Sequence, residues 1–318
     1  MRNVPKKKII YGAVVVIFLI VLLHPDMNGR RSYEYIPKEA ILDNLYYAVT
    51  KSFKLNNSTN ECDYRDIVFD DTTLSPSLKD GDLDDGHKIR AGGECAPLEC
   101  RPKFSTAIVV PYRNRPEQLH DFLIYMHTFL RRQQIHYRIY VIEQLDSLPF
   151  NRAKLMNIGA KLAMKAGFPC LVLHDVDLLP LRPANLYACT YNPRHLSSSI
   201  NKFRYVLPYL HLFGGAIAIR ADQFRTVNGM SNQYYGWGGE DDDFYSRLEN
   251  KEIKICRFEP ATSVYYMLNH KPEVKGEQRH ALLDRAEKRM PLDGLNNLKY
   301  TEIAATLHPL FTHIMINI

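Results

Sequence analysis

The sequence predicts an α/β domain built on a parallel sheet and carried behind a short N-terminal membrane anchor. Three observations predict it. Between Thr106 and Leu173, short apolar runs alternate with segments of helical spacing. That order, strand–helix–strand–helix–strand, implies a parallel sheet with right-handed crossovers. Arginines, an aromatic and carboxylates stand just after the strands, where ligands bind in such sheets. Finally, an almost unbroken apolar run from Ile9 to Leu23 follows Arg2 and Lys6 to Lys8.

The anchor and its compartment come first in the chain. The run is short for an average bilayer, but thinner membranes of the early secretory route accept short spans. His24-Pro25-Asp26-Met27 lacks a small-x-small cleavage site, which favours an uncleaved signal anchor with a cytosolic N-terminus. The expected division is a cytosolic tail at 1–8, an anchor at 9–24, a lumenal stem at 25–100 and a folded domain at 101–318. Six cysteines show no repeated zinc-site spacing, and disulfides are the default in a lumenal domain. Asn56 and Asn57 each open a glycosylation sequon. The chain has 318 residues, 46% of them hydrophobic, and a net charge of +6. Its basic residues are scattered and not interleaved with aromatics, so no nucleic-acid face is expected.

Polar composition with few periodic apolar positions marks the stretch up to about Arg101 as stem. Thr106 to Val110 is an apolar run ending at Pro111, as a buried strand would. Glu117 to Leu130 places Leu119, Phe122, Leu123, Met126 and Leu130 on one helical face. Tyr137 to Glu143 reads as the second strand and Arg152 to Ala166 as the second helix. Cys170 to Leu173 is the third strand.

The residues after these strands suggest chemistry. Arg113 and Arg115 follow the first strand, and two arginines in a tight turn can hold phosphate oxygens or simply face solvent. Phe150 and Arg152 follow the second and offer an aromatic face and another guanidinium. Asp175-Val176-Asp177 follows the third; alternation would put its carboxylates on opposite sides, one for a hard cation, the other for ribose or sugar. Met267 and His270, at i and i+3, could reach the same cation, although thioether sulfur is a soft partner for it and a single histidine is often structural. Gly236-Trp237-Gly238-Gly239-Glu240-Asp241-Asp242-Asp243 holds the one tryptophan of the chain. It reads either as an acidic helix start or as an aromatic lid beside an acidic sugar site. No glycine fingerprint or Walker motif is present, which removes support for a dehydrogenase or kinase.

Taken together and in order, Pro111 to Arg115, Phe150 to Lys154, Asp175 to Asp177, Phe213-Gly214-Gly215, the tryptophan stretch, Met267 to His270 and Asp293 to Asn296 resemble the animal β-1,4-galactosyltransferases. The resemblance runs from about Cys100 to the C-terminus, and the short anchor and stem match that family's type II Golgi plan. It implies a GT-A fold, a Rossmann-like mixed sheet flanked by helices, and inverting transfer from a UDP-sugar to the 4-hydroxyl of a terminal GlcNAc on a glycoprotein or glycolipid. It also implies Mn2+ held by Asp177, Met267, His270 and the diphosphate. Pro111, Arg113, Arg115, Phe150, Arg152, Asp175 and Val176 would hold UDP, and Trp237 would close over the donor. Asp241 would be the general base, with Glu240 beside it. Tyr209, Gly239, Asp242 and Arg279 would face the acceptor, although the loop from His270 to Arg279 is shorter than the family's. Cys62–Cys100 and Cys170–Cys189 match the family's disulfides; Cys95 and Cys256 have no counterpart.

One departure bears on the donor. The vertebrate enzymes have a tyrosine immediately before Phe-Gly-Gly, crowding the C2 substituent of the donor sugar. Here that residue is Leu212, which leaves room for an N-acetyl group, as in the family's invertebrate N-acetylgalactosaminyltransferases. UDP-GalNAc is therefore the expected donor and UDP-Gal the alternative. His174 to Leu181 and Asn228 to Asn232 also resemble the branch that galactosylates xylose, but that branch has His-x-His where this chain has Met-x-x-His. Outside the class stand a lumenal sugar-binding protein that has lost turnover, although the acids it would have lost are all present, and a soluble oxidoreductase, disfavoured by the anchor.

Overall fold

The computed structural model describes residues 6–23, 33–50, 60–77, 89–271 and 273–318. Asn56 and Asn57 lie outside the described residues. The N-terminal apolar run lies within a helix, α1 (Lys6–Leu23). Among the described residues no helix is long and apolar enough to cross a membrane. After the short helices α2 (Ile41–Asn44) and α3 (Arg65–Val68), the first strands and main helices follow in order: β1 (Glu94–Cys95), β2 (Ser105–Tyr112), α4 (Pro116–Arg131), β3 (His136–Gln144), α5 (Arg152–Lys165) and β4 (Cys170–His174). The second half contributes β5 (Leu178–Pro180), β6 (Arg194–His195), β7 (Ser199–Ile200), β8 (Ala216–Arg220), α6 (Ala221–Thr226), α7 (Glu240–Glu249), β9 (Val264–Met267), α8 (Arg279–Leu283), α9 (Ala286–Arg289), β10 (Thr301–Leu307) and β11 (Thr312–Asn317).

The main sheet runs β10-β11-β3-β2-β4-β8-β6, with β1 also paired to β3. Strands β11, β3, β2 and β4 are parallel neighbours, whereas β8 and β10 are antiparallel to theirs. The sheet is thus mixed. Period-two alternation divides the core: Ile108 and Val110 of β2 face one apolar layer, Ala107 and Val109 the other. Helix α4 fills the first layer with Phe122 and Met126, and α5 the second with Leu155 and Ile158. Pro116 opens α4, where its missing N–H costs nothing. The Asn151 side chain accepts from the Lys154 amide at 2.9 Å and starts α5.

Two departures from expectation matter for the site. Strand β2 does not stop at Pro111. It pairs with β3 as far as Tyr112 but with β4 only as far as Val109. The two strands part there, so Pro111 has no ladder partner to satisfy on that side and the crevice opens beside it. Nor do Asp175 and Asp177 alternate across a strand. Strand β4 ends at His174 and the chain turns, so both carboxylates face one cleft. A small second sheet, β5-β9-β7, lies just beyond that turn.

The segment expected as a separate stem packs on the folded domain where it is described. Ile41, Leu45, Tyr64 and Val68 are at most 3% exposed and belong to the first apolar layer. Cys62 and Cys100 form a disulfide that closes this segment onto the bend between β1 and β2, and Cys170 and Cys189 form the other. Neither disulfide includes Cys95 or Cys256. The physical reason is that a few large side chains, fixed by a covalent link and backbone bonds such as Tyr46 N to Cys189 O at 2.9 Å, bury well without regular helical spacing.

Candidate active site

A cleft of about 310 Å3 opens at the carboxyl ends of β2 and β4. Every residue expected on the nucleotide or the cation, from Pro111 to His270, lines it. Arg113 lies with its guanidinium 5.2 Å from the Phe150 ring centre and donates to the Leu148 carbonyl at 2.6 Å. Arg115 stands at the start of α4 and reaches Asp177 Oδ2 at 3.2 Å. Arg152, in the first turn of α5, donates through Nε to Asp175 at 2.6 Å and through Nη1 to Asp241 at 2.7 Å. Its Nη1 is also 3.5 Å from Glu240. One guanidinium therefore serves three carboxylates.

Asp177 and His270 make the most informative pair. His270 Nε2 lies 2.8 Å from Asp177 Oδ2. Its Nδ1 is 2.9 Å from the Lys271 carbonyl, and a carbonyl only accepts, so Nδ1 carries a proton. In the neutral tautomer Nε2 then presents a lone pair to a carboxylate, a contact that needs a positive species to be favourable. A proton can satisfy it, and the hydrogen bond to Asp177 indeed raises the His270 pKa. A divalent cation can do the same. The other Asp177 oxygen, Oδ1, is buried and has no hydrogen-bond partner among the described residues. Burial opposes ionisation of Asp177, but His270 and Arg115 hold its carboxyl below the usual range. Among the described residues no three His, Cys, Asp or Glu side chains converge as a metal site. A third protein donor must come from elsewhere, and Met267, paired with Leu178 across β5 and β9, lines the same cleft. The carboxylate, imidazole and thioether fit a borderline cation that takes further oxygen donors from a ligand.

The acidic stretch is an acidic helix start preceded by a glycine-rich tryptophan loop. Gly236, Gly238 and Gly239 all have left-handed φ, which a residue with a Cβ adopts at a cost, and Gly239 caps α7. The four acids fill the first turn and diverge. Glu240 lines the cleft, Asp241 meets Arg152, and Asp242 accepts from the Tyr209 hydroxyl at 2.9 Å. Asp243 is not merely a partner of the helix dipole. It is fully buried and accepts from Arg247 at 2.6 Å, Arg289 at 3.0 Å and the Tyr234 hydroxyl at 3.1 Å. Burial first, then Glu240 and Asp175, pushes the Asp241 carboxyl upward against the pull of Arg152.

Trp237 is 57% exposed at the cleft mouth. Its amide donates to Val274 O at 2.8 Å and its carbonyl accepts from Gly276 N at 3.0 Å, so the tryptophan loop and the 274–276 segment pair like strands. Tyr209, Leu212, Gly239, Asp241, Asp242 and Arg279 do not line this cleft. Several of them gather around α7 instead. Arg279 opens α8 with its Cδ 3.1 Å from where a Cβ on Gly238 would be. Half-buried Leu212 bonds through its amide to Tyr209 O at 3.2 Å and through its carbonyl to Arg257 at 2.9 Å. Two residues on, Gly214 leaves space that Asp241 occupies: a Cβ there would sit 2.0 Å from Asp241 Oδ2.

Comparison with known proteins bears on this arrangement. The family description "N-terminal region of glycosyl transferase group 7" matches residues 63–190, and "N-terminal domain of galactosyltransferase" matches 194–271. Mouse β-1,4-galactosyltransferase 5 is 41% identical over 72% of this chain, and human β-1,4-galactosyltransferase 3 is 44% identical over 73%. A solved structure of a mutant Drosophila β-1,4-galactosyltransferase 7, in complex with manganese, UDP-Gal and xylobiose, superposes with a TM-score of 0.59 at 30% identity. It covers 67% of this chain and 93% of that one. The chain belongs to the animal β-1,4-galactosyltransferase family. The matched region spans 60% of the length of each of the two curated relatives named here. The mixed sheet is accordingly GT-A-like.

Sequence reasoning missed three cleft residues, Lys202, Glu273 and Lys275. Each is an ordinary surface residue type in a loop or a single helical turn, with no local pattern to set it apart. It also missed the reason for Gly214, although the Phe-Gly-Gly motif was the available signal.

Proposed function

We propose that this chain is a Mn2+-dependent, inverting β-1,4-glycosyltransferase. It moves GalNAc, or alternatively galactose, from a UDP-sugar to the 4-hydroxyl of a terminal GlcNAc on glycoproteins or glycolipids. The observation that carries the proposal is a pair of acidic centres flanking the ion pair of Arg152 with Asp175, which also ties in Asp241. On one side is Asp177, with an orphaned oxygen and a histidine lone pair against it. On the other is Asp241, a carboxylate with a raised affinity for protons.

Arg113 and Arg115 suit the diphosphate, and Phe150 offers a face to the base. Trp237 covers the mouth of the cleft and keeps water from the donor. Asp242 and Tyr209 orient the acceptor. Asp241 removes the proton from its hydroxyl as that oxygen attacks the anomeric carbon from the side opposite UDP. When bound, Mn2+ neutralises charge that develops on the departing diphosphate. Support for the cation and the donor comes from the manganese and UDP-Gal in the Drosophila relative.

We place the chain in the Golgi membrane as a single-pass type II protein with its catalytic domain in the lumen. The support is the basic-then-apolar N-terminus and the two disulfides. Xylose is the second acceptor reading, favoured by the xylobiose in the Drosophila relative.

The test is release of UDP from UDP-GalNAc and from UDP-Gal with Mn2+ and one GlcNAc acceptor, alongside xylose, with Asp241→Asn as control. The expected result is faster turnover with UDP-GalNAc, shifted towards UDP-Gal by Leu212→Tyr. A strong preference of the unaltered enzyme for UDP-Gal would sink the donor reading. No Asp241-dependent release with any pair would sink the enzyme.

A further inference from the structure

Beneath the acceptor side lies a closed ring of buried charge. Asp243 of α7 accepts from Arg247 Nε at 2.6 Å and from Arg289 Nη2 at 3.0 Å. Asp293 accepts from Arg289 Nη1 at 3.1 Å and lies 3.6 Å from Arg247 Nη2. Two carboxylates and two guanidiniums therefore alternate and cancel. Three of the four side chains are at most 2% exposed, and that of Arg289 is 16% exposed. Buried groups of this kind hold only in a fixed mutual arrangement, and removal of one member leaves an uncompensated charge.

Arg289 reaches further than the ring. Besides the two aspartates, it donates to the Leu282 carbonyl in α8 at 2.7 Å, to the Ser231 hydroxyl at 3.1 Å and to the Tyr234 hydroxyl at 3.4 Å. With the aspartates counted, those partners sit on four pieces of chain: α7, the run 231–234, α8 and the turn after α9 that holds Asp293. Helix α7 carries Asp241 and Asp242 in its first turn. The run from Ser231 to Tyr234 leads into the tryptophan loop. Helix α8 begins with Arg279, which packs on Gly238 and Gly239. One guanidinium fork thus sets the spacing among the elements assigned to the acceptor, and none of its bonds goes to the nucleotide cleft.

We propose that Arg289 is a positioning residue for the acceptor half of the site: through the ring it fixes the first turn of α7 and the tryptophan loop against α8. This rests on the proposed transfer to a saccharide acceptor. The fork geometry matters, because its two terminal nitrogens together make five contacts with acceptors on separate elements. Lysine preserves the charge but cannot make all of these bonds.

The experiment compares the unaltered full chain with Arg289→Met and Arg289→Lys. The readouts are acceptor KM and kcat at saturating UDP-sugar, UDP affinity with Mn2+, and the melting temperature. The expected result for Arg289→Met is an acceptor KM raised by about tenfold or more, in line with the sensitivity of rate to sub-ångström placement, with UDP affinity within twofold. Arg289→Lys should recover part of that loss. Should Arg289→Met fail to fold, Arg289→Lys decides alone: a raised acceptor KM supports the proposal and an unchanged one overturns it. A lower melting temperature with unchanged acceptor KM and kcat makes the ring structural only and overturns it. Equal losses in donor and acceptor binding also overturn it. If the unaltered chain transfers nothing to any saccharide, the proposed function falls and this inference with it; if it transfers normally while the variants match it, only the inference falls.

Discussion

Replacing Gly214 with alanine should disable the base while sparing the fold. Gly214 is not among the residues with left-handed φ, so alanine meets no backbone penalty there. Its new methyl group would lie 2.0 Å from Asp241 Oδ2 and 2.5 Å from its carboxyl carbon. Relaxing the carbon–oxygen contact to about 3.3 Å requires the carboxylate to retreat by roughly 1.3 Å. The obstructing atoms are the end of a side chain, so the base swings and the backbone stays. A displacement of about 1 Å at a reacting group costs on the order of 100-fold in rate, or about 2.7 kcal/mol of transition-state stabilisation. The assay is steady-state kcat with saturating donor, acceptor and Mn2+, paired with a thermal melt. The melting temperature should move by no more than about 4 °C, the shift expected for about 1 kcal/mol in a domain of this size. Gly215→Ala is the contrasting variant: φ is +75° and a Cβ would lie 2.7 Å from Ser197 Oγ, so it should lose stability first. A folded Gly214→Ala enzyme with kcat within threefold of the original would refute the placement of the base at Asp241.

Two further outcomes follow from the charges. Asp177→Ala removes the carboxylate with the orphaned oxygen, and Mn2+-dependent UDP binding measured by calorimetry should weaken beyond the roughly 10–100-fold typical of outer-shell changes; unchanged binding would place the cation elsewhere. Because the Asp241 carboxyl is pushed up by burial and by Glu240 and Asp175, it stays protonated to higher pH than an ordinary carboxylate and works as a base only above that point. The acceptor kcat/KM should therefore rise with pH along a limb lying above the usual carboxylate range near 4, and a profile flat down to about pH 4 contradicts the assignment.

The central strands and helices were legible because their apolar residues keep strict periods, and β3 and α5 end within a residue of expectation. The nucleotide cleft was legible for a related reason: in a parallel sheet the residues just after the strands share one edge. What failed depends on contacts distant in sequence. Four consecutive acids give no sign of which turns inward, and Asp243 does so because Arg289, 46 residues away, meets it. Asp175 and Asp177 were assigned to opposite sides because alternation was carried three residues past the end of β4. The packed part of the supposed stem offers only isolated large residues in helices of four residues each, too short for any period to show.

That packed segment determines where the chain can be cut. Tyr33 meets the Ser198 hydroxyl at 2.9 Å, and Ile36 N reaches Arg257 O at 2.8 Å, so the folded body already holds the chain at its thirty-third residue. The match to the family description begins at residue 63, one position after Cys62. A fragment trimmed to that boundary loses the partner of Cys100 and uncovers the apolar surface beneath Ile41 and Leu45. It would carry an odd thiol beside a greasy face, a combination that promotes cross-linked aggregates. A fragment that keeps all of these contacts therefore starts upstream of Tyr33.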